Sequence, residues 1–104
     1  MSDTPQPTVI EQPGRYQVLV AGAPVGFTDY HDDGEQRTFP HTVIDEDQRG
    51  QGLASTLIRE ALEATRATGK SVIPQCPAVA GFIAKHSEYH DLVAADRRAE
   101  FGIS

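Results

Sequence analysis

One cysteine, Cys76, is all that the chain of 104 residues holds, which excludes an internal disulfide framework and a multi-cysteine zinc site. Cys76 is then either a small buried side chain or a thiol with chemistry. Basic residues are also few, 9 Lys and Arg against 15 Asp and Glu for a net charge of −6. Their scatter argues against a nucleic-acid footprint, while an acidic surface tolerates, and attracts, amines or basic peptides. No apolar run approaches the roughly 20 residues of a membrane span. Residues 1–12 are polar and proline-rich rather than basic and then apolar, so a soluble, cytoplasmic protein with no membrane partner is expected. Internal repeats and low-complexity blocks are missing too. What remains is one small domain, burying about 60 to 65% of its unfolded surface.

Residues 1–14 carry Pro5, Pro7 and Pro13 and few large apolar groups, so a flexible N-terminal arm is expected, with a short edge strand at Val9 and Ile10. From Arg15 the pattern alternates. Tyr16, Val18 and Val20 share one face, Gly22-Ala23-Pro24 turns the chain, and residues 25–30 return as a second strand. His31-Asp32-Asp33-Gly34 reads as the next turn. A third extended run covers residues 35–45, with Phe39, His41 and Val43 on one face and Thr42 and Ile44 on the other. Pro40 lies inside this run and cannot donate to a ladder, so a bulge or a break in pairing is expected beside it.

Leu53, Leu57, Ile58, Ala61, Leu62 and Thr65 then recur at the helical period, with Arg59, Glu60, Glu63 and Arg66 on the other side. Gly69 closes this helix, and Arg66 and Lys70 suit the negative end of its dipole. Residues 71–74 form a short strand, which completes a β-α-β unit and predicts one parallel pair in an otherwise antiparallel sheet. Pro77 opens a second helix with Val79, Phe82, Ile83 and His86 at i, i+3, i+4 and i+7. A polar turn at residues 87–91, a docking segment at Leu92 and Val93, and a C-terminal tail over residues 94–104 finish the chain. The fold class is therefore α/β, a mixed, mostly antiparallel sheet with one parallel β-α-β unit and two main helices, in a domain over residues 15–93.

Arg49-Gly50-Gln51-Gly52-Leu53-Ala54 joins the third strand to the long helix. Two glycines let a ligand approach the backbone, and a helix start offers unpaired N–H groups and a positive dipole end, so an anion suits this place. A Walker loop needs Lys-Ser or Lys-Thr after its last glycine, where Leu53-Ala54 stands. A dinucleotide fingerprint needs Gly or Ala where Ser55 stands. The plainer alternative is that Gly50 and Gly52 only turn the chain into the helix.

The loop and the order of elements resemble the GNAT acetyltransferases, and in particular their compact YjdJ-like branch. The matching pieces are Phe39-Pro40-His41-Thr42-Val43, the loop itself, Pro74-Gln75-Cys76 and Lys85-His86-Ser87-Glu88-Tyr89-His90-Asp91-Leu92-Val93. The resemblance implies an acetyl-CoA-dependent N-acetyltransferase with a primary amine, small molecule or peptide, as acceptor. It implies that amides of Arg49, Gly50, Gln51, Gly52, Leu53 and Ala54 hold the pyrophosphate of coenzyme A. Ser55 adds a hydroxyl at the helix start, and the strand at Val43, Ile44 and Asp45 bonds the pantetheine arm. Gly22-Ala23-Pro24 leaves no room for the helical pair that larger relatives insert there, so the acceptor side is open. A non-catalytic acyl-CoA-binding sensor and an interaction module are the alternative readings.

Acetyl transfer needs a neutral amine, a polarised thioester carbonyl and a proton for the leaving thiolate. Cys76, between the short strand and the second helix, is an acetyl-carrying nucleophile, a pocket-lining thiol or a packed helix-entry residue. His41 is either a core histidine or a base aimed into the cleft. Tyr89 is a thiolate acid by analogy with the family, or an anchor. Asp45, Glu46 and Asp47 read as a solvated turn. His86 reads as packing with a polar handle; it stands four residues from His90, but no Glu follows it as in a zincin, so no metal is expected. A monomer or weak homodimer is expected.

Overall fold

The computed structural model describes residues 6–48 and 52–103. Strands β1 (Thr8–Gln12), β2 (Arg15–Val20), β3 (Ala23–Asp29), β4 (His31–Asp33), β5 (Gln36–Thr38) and β6 (Thr42–Ile44) precede helix α1 (Leu53–Thr68). Strand β7 (Ser71–Ile73) and helix α2 (Pro77–Lys85) follow, then short 3-10 turns at Ser87–Leu92, Ala95–Arg97 and Ala99–Phe101. One sheet has the order β1-β2-β3-β6 and is antiparallel throughout. The other has the order β4-β5-β7, with β5 and β7 parallel on either side of α1, which is the expected β-α-β unit.

The two sheets are halves of one, broken at Pro40. Thr28 faces Thr42 before the break and His31 faces Thr38 after it, so the pairing offset changes by one residue and Phe39 and Pro40 together oppose Tyr30. This is a bulge. It resets the alternation that the sequence reading carried through residues 35–45. Phe39 is fully buried, while His41 and Val43 stand on the exposed outer face, so the expected shared face of Phe39, His41 and Val43 does not form.

His31–Asp33, read as a turn, is a strand. Its polar sequence offers no apolar alternation, and its pairing with β5 is reinforced by charge: Arg37 Nε and Nη2 donate to Asp32 Oδ1 and Oδ2 at 2.7 and 3.0 Å. Arg37 is almost wholly buried, donates to Tyr16 Oη at 2.7 Å and lies 4.1 Å from the centre of the Tyr30 ring. One guanidinium thereby ties β5 to β4 and β2.

Helix α1 buries Leu53, Leu57, Ile58, Ala61, Leu62 and Thr65, the stripe read from its period. The stripe packs across β2, β3 and β7 and against α2, with Tyr16, Val18, Val72 and Ile83 in the same core. Gly69 ends the helix in the left-handed region, and Arg66 reaches past it to Asp91 Oδ2 at 2.7 Å and the Glu88 carbonyl at 2.8 Å. The sheet begins at Thr8, inside the stretch read as an arm, where Val9 opposes Val18 and packs on the core. At the other end Ile103 is 2% exposed and Arg98 Nε donates to the carbonyls of His90 and Val93. Ile103, with Phe101 packed on the same core, thus docks the tail.

Candidate functional site

The site follows from which way the main chain of β6 points. Asp45 N–H donates to the Val25 carbonyl at 2.8 Å and Asp29 N–H to the His41 carbonyl at 3.1 Å, so odd-numbered residues of this segment turn their main-chain groups to β3. Antiparallel alternation then turns those of Thr42 and Ile44 the other way, where they have no main-chain partner among the described residues. The sequence reading placed the pantetheine-bonding groups on Val43, Ile44 and Asp45. The main-chain groups of Val43 and Asp45 are turned to β3, and those of Thr42 and Ile44 are turned away from it.

On the open side, β7 runs beside β5 only as far as Ile73. Phe39 N–H donates to the Ile73 carbonyl at 3.0 Å and Cys76 N–H to the Phe39 carbonyl at 2.8 Å. Beyond that link the chains part, and a cleft of about 300 Å³ opens. Thr42 and Ile44 of β6, Ala78 of α2, and Gln48, Gly52, Leu53, Ala54 and Ser55 around the start of α1 line it. A second hollow of about 330 Å³ shares Ala54, Ser55 and Ala78 and extends to Lys85 and His86.

Gly52 adopts φ 73°, a left-handed conformation that suits glycine. No side-chain hydrogen bond caps α1 among the described residues, and its first internal main-chain bond runs from Thr56 N–H to the Gly52 carbonyl at 3.1 Å. The amides of the first turn therefore face the cleft mouth with the positive end of the dipole behind them. Arg49, Gly50 and Gln51 lie outside the described residues.

Cys76 is 4% exposed and precedes Pro77 in an extended conformation, as a helix-entry residue. Its Sγ donates to Thr42 Oγ1 at 3.4 Å across the gap; Thr42 Oγ1 is 2.9 Å from Thr28 Oγ1, and Thr28 donates to the His41 carbonyl at 3.4 Å. His41 itself is neither a core histidine nor aimed into the cleft. Its ring lies on the outer face, 58% exposed, with Nε2 2.7 Å from Asp29 Oδ2. Arg15 Nε donates to the other oxygen at 2.6 Å, and the Arg15 and His41 contacts hold the Asp29 carboxyl below the usual carboxylate range.

Tyr89 is buried against α1, where its hydroxyl donates to Glu63 Oε2 at 2.7 Å and accepts from Arg59 Nη1 at 3.4 Å. Burial, and the bond to Glu63, raise its pKa. It lines neither hollow. Tyr89→Phe is expected to lower stability by about 1 kcal/mol, read from urea denaturation, and to leave the shape of any pH–rate profile unchanged. His86 stacks on Phe82 with ring centres 4.0 Å apart and Nδ1 2.7 Å from the Phe82 carbonyl, packing with a polar handle. Asp45, Glu46 and Asp47 are exposed. Among the described residues no group of three or more His, Cys, Asp or Glu could hold a metal ion, and no helix is long and apolar enough to cross a membrane.

Thr42, Thr28 and Asp29 are the residues that sequence reasoning gave no role. Only their pairing across the bulge brings them to the site, and no local pattern carries that information.

A mixed sheet that splits beside the start of a helix is an α/β framework. The GCN5-related N-acetyl-transferase profile matches residues 15–92, and the chain belongs to that family. Among solved structures, it is similar to the ribosomal-protein-S18-alanine N-acetyltransferase from Escherichia coli, with a TM-score of 0.55 and 18% identity over 58% of this chain and 39% of that one. It is also similar to a ribosomal-protein-alanine N-acetyltransferase from Brucella melitensis biovar Abortus 2308, with a TM-score of 0.57 and 24% identity over 78% of this chain and 61% of that one. The chain thus spans less than two thirds of either structure, and at these identities the likeness is one of fold. No match was found among curated proteins. As the family resemblance implied, no helix stands between β2 and β3.

Proposed function

We propose that the protein transfers an acetyl group from acetyl-CoA to a primary amine. The observation that supports this most is the free main-chain edge of Thr42 and Ile44 running into the uncapped start of α1 along one cleft. First-turn amides there suit a pyrophosphate, with Ser55 beside them, and the β6 edge suits the amides of a pantetheine arm. The thioester then lies towards Thr42 and Cys76. Cys76 is buried beside Thr42 with its thiol proton directed to the Thr42 hydroxyl, so in this reading the amine attacks the thioester carbon directly and coenzyme A leaves as the thiolate. No acetyl adduct on Cys76 is expected by mass spectrometry after exposure to acetyl-CoA.

The acceptor approaches from the outer face, which is free of helices between β2 and β3. There His41, oriented by Asp29, takes the proton from the incoming ammonium. His41→Gln is expected to lower kcat about a hundredfold and to leave donor affinity unchanged. An unchanged kcat removes His41 from the chemistry. Calorimetry with CoA and acetyl-CoA, followed by thioester cleavage with a panel of amines and basic peptides, tests the whole reading. Absence of CoA binding overturns it. Binding without cleavage leaves a non-catalytic acyl-CoA-binding module.

A further inference from the structure

We propose that two copies of the chain pair through β1, antiparallel about Ile10, and so join their sheets into one. Which main-chain groups of β1 are free follows from bonds already fixed in the sheet. Asp29 N–H donates to the His41 carbonyl, so Asp29 is turned to β6 and its neighbour Thr28 to β2; Tyr30 N–H, donating to the Gly14 carbonyl at 2.9 Å, keeps the same alternation. Tyr16, opposite Thr28, is therefore turned to β3, and Arg15 and Gln17 to β1, where they oppose Gln12 and Ile10. Val9 and Glu11 are left facing outwards. β1 is the end strand of its sheet, and among the described residues no main-chain partner for either residue lies beyond it.

This edge is complementary to itself. With Ile10 opposite Ile10 of the second copy, Val9 of each chain exchanges both main-chain bonds with Glu11 of the other. Centring the pair on Val9 or on Glu11 instead sets a carbonyl against Pro7 or Pro13, which have no N–H, and the second of these also places two carboxylates side by side. Val9 packs on the core, so Ile10 stands on the opposite face, where it is 37% exposed; among the described residues Val43 is the other large apolar side chain so exposed. In the Ile10 register the two isoleucines meet at a non-hydrogen-bonded position, where facing side chains come closest. The Glu11 carboxylate does not guard the edge, because Tyr30 Oη donates to its Oε2 at 2.7 Å and holds it against its own sheet. The opposite border differs. There β4 shows exposed His31, Asp32 and Asp33, and its acidic groups repel a second copy.

The test is sedimentation equilibrium of the full chain between about 5 and about 500 μM. The wild type is expected to pass from one chain to two as concentration rises, since one five-residue strand from each copy makes a contact below the about 1,200 Å² of stable complexes. Glu11→Pro removes an outward N–H at an edge position that tolerates proline, and is expected to weaken association at least about tenfold. Glu11→Gln keeps that N–H and associates at least as tightly as the wild type. Register is read by cross-linking under oxidised glutathione, with Ile10→Cys and Thr8→Cys, both at exposed positions on one face. Ile10→Cys meets its own copy across the axis and forms an interchain disulfide; Thr8→Cys, opposite Gln12 of the second copy, does so at least about tenfold more slowly. A single-chain mass at every concentration, or equal cross-linking of the two cysteine variants, overturns the pairing, whatever other strand the edge then takes. Calorimetry with CoA keeps this result apart from the donor site, because β6 stands at the far end of the β1-β2-β3-β6 order. A monomer that binds CoA overturns the pairing alone, and a dimer that does not bind it overturns the donor site alone.

Discussion

Gly52→Val is expected to weaken coenzyme A binding about a hundredfold while the domain still folds. Gly52 lines the cleft with φ +73°, and a Cβ added there meets no atom of the described residues within 4 Å. Among those residues the substitution therefore causes no clash. It does two other things. A left-handed conformation costs an L-residue about 1 to 2 kcal/mol, so melting falls by about 4 to 8 °C for each kcal/mol. The isopropyl group also occupies space beside the first-turn amides, where a pyrophosphate would accept their protons. Charge-assisted hydrogen bonds contribute about 1.5 to 3 kcal/mol each, and losing one or two gives the hundredfold change. Gly52→Ala separates the two effects, because it carries the strain with little of the bulk. Calorimetry that returns wild-type affinity for Gly52→Val takes the loop out of the site. Charge reversal at Arg49 is a weaker version of the same experiment.

Arg37→Ala is expected to destabilise the domain by about 2 to 3 kcal/mol, lowering its melting temperature by about 10 to 20 °C. The Arg37 side chain is only 6% exposed, and its removal strands the Tyr16 hydroxyl in the core and unpairs Asp32. A fully buried pair broken at one end would cost about 3 to 5 kcal/mol, but Asp32 is 36% exposed and water recovers part of this. Asp32→Asn keeps an acceptor near the guanidinium and is expected to cost only about 1 kcal/mol. In a domain of this size, with about 5 to 15 kcal/mol in total, the Arg37 loss is a large fraction. The pair also sets a pH dependence. Hydrogen bonds from Arg37 hold the Asp32 carboxyl below its ordinary range. A carboxylate lowered on folding contributes stability fully above its unfolded pKa and loses it as pH falls through the folded one. Urea midpoints should therefore decline on acidification less steeply in Arg37→Ala than in the wild type. A variant melting within about 3 °C of the wild type would show that the guanidinium is replaceable by water.

Helix α1 was legible to the residue because five apolar positions and Thr65 repeat at the helical period and a glycine ends them. The parallel partnership of β5 and β7 followed from it, since a crossover helix leaves few alternatives. Strand β4 was hidden because Asp32 and Asp33 look like turn residues, and the guanidinium that makes a strand of them comes from five positions away. The bulge at Pro40 could be anticipated from a missing donor, but its consequence could not. One additional residue changes which face Phe39 and His41 occupy, and only the pairing with β3 shows that Thr42 and Ile44, not Val43 and Asp45, turn their main-chain groups to the cleft. Cys76 was placed correctly at the entry to α2 by Pro77, whereas its contact with Thr42 spans 34 positions. No local pattern carries such a distance.

A sheet normally conceals or consumes its vacant borders, because an idle row of amides invites whatever extended chain drifts past. Here the vacancy is internal, bordered by Leu53 at the start of α1 and Ala78 of α2. A slender molecule with peptide-like links, in occupying it, would serve as a surrogate strand, completing the ladder that the bulge interrupts. Occupancy and rigidity then become one quantity. At a ligand concentration of about a hundred times Kd the folded state would gain about 2.7 kcal/mol, so a donor bound as proposed would make this small protein sturdier when plentiful and softer when scarce.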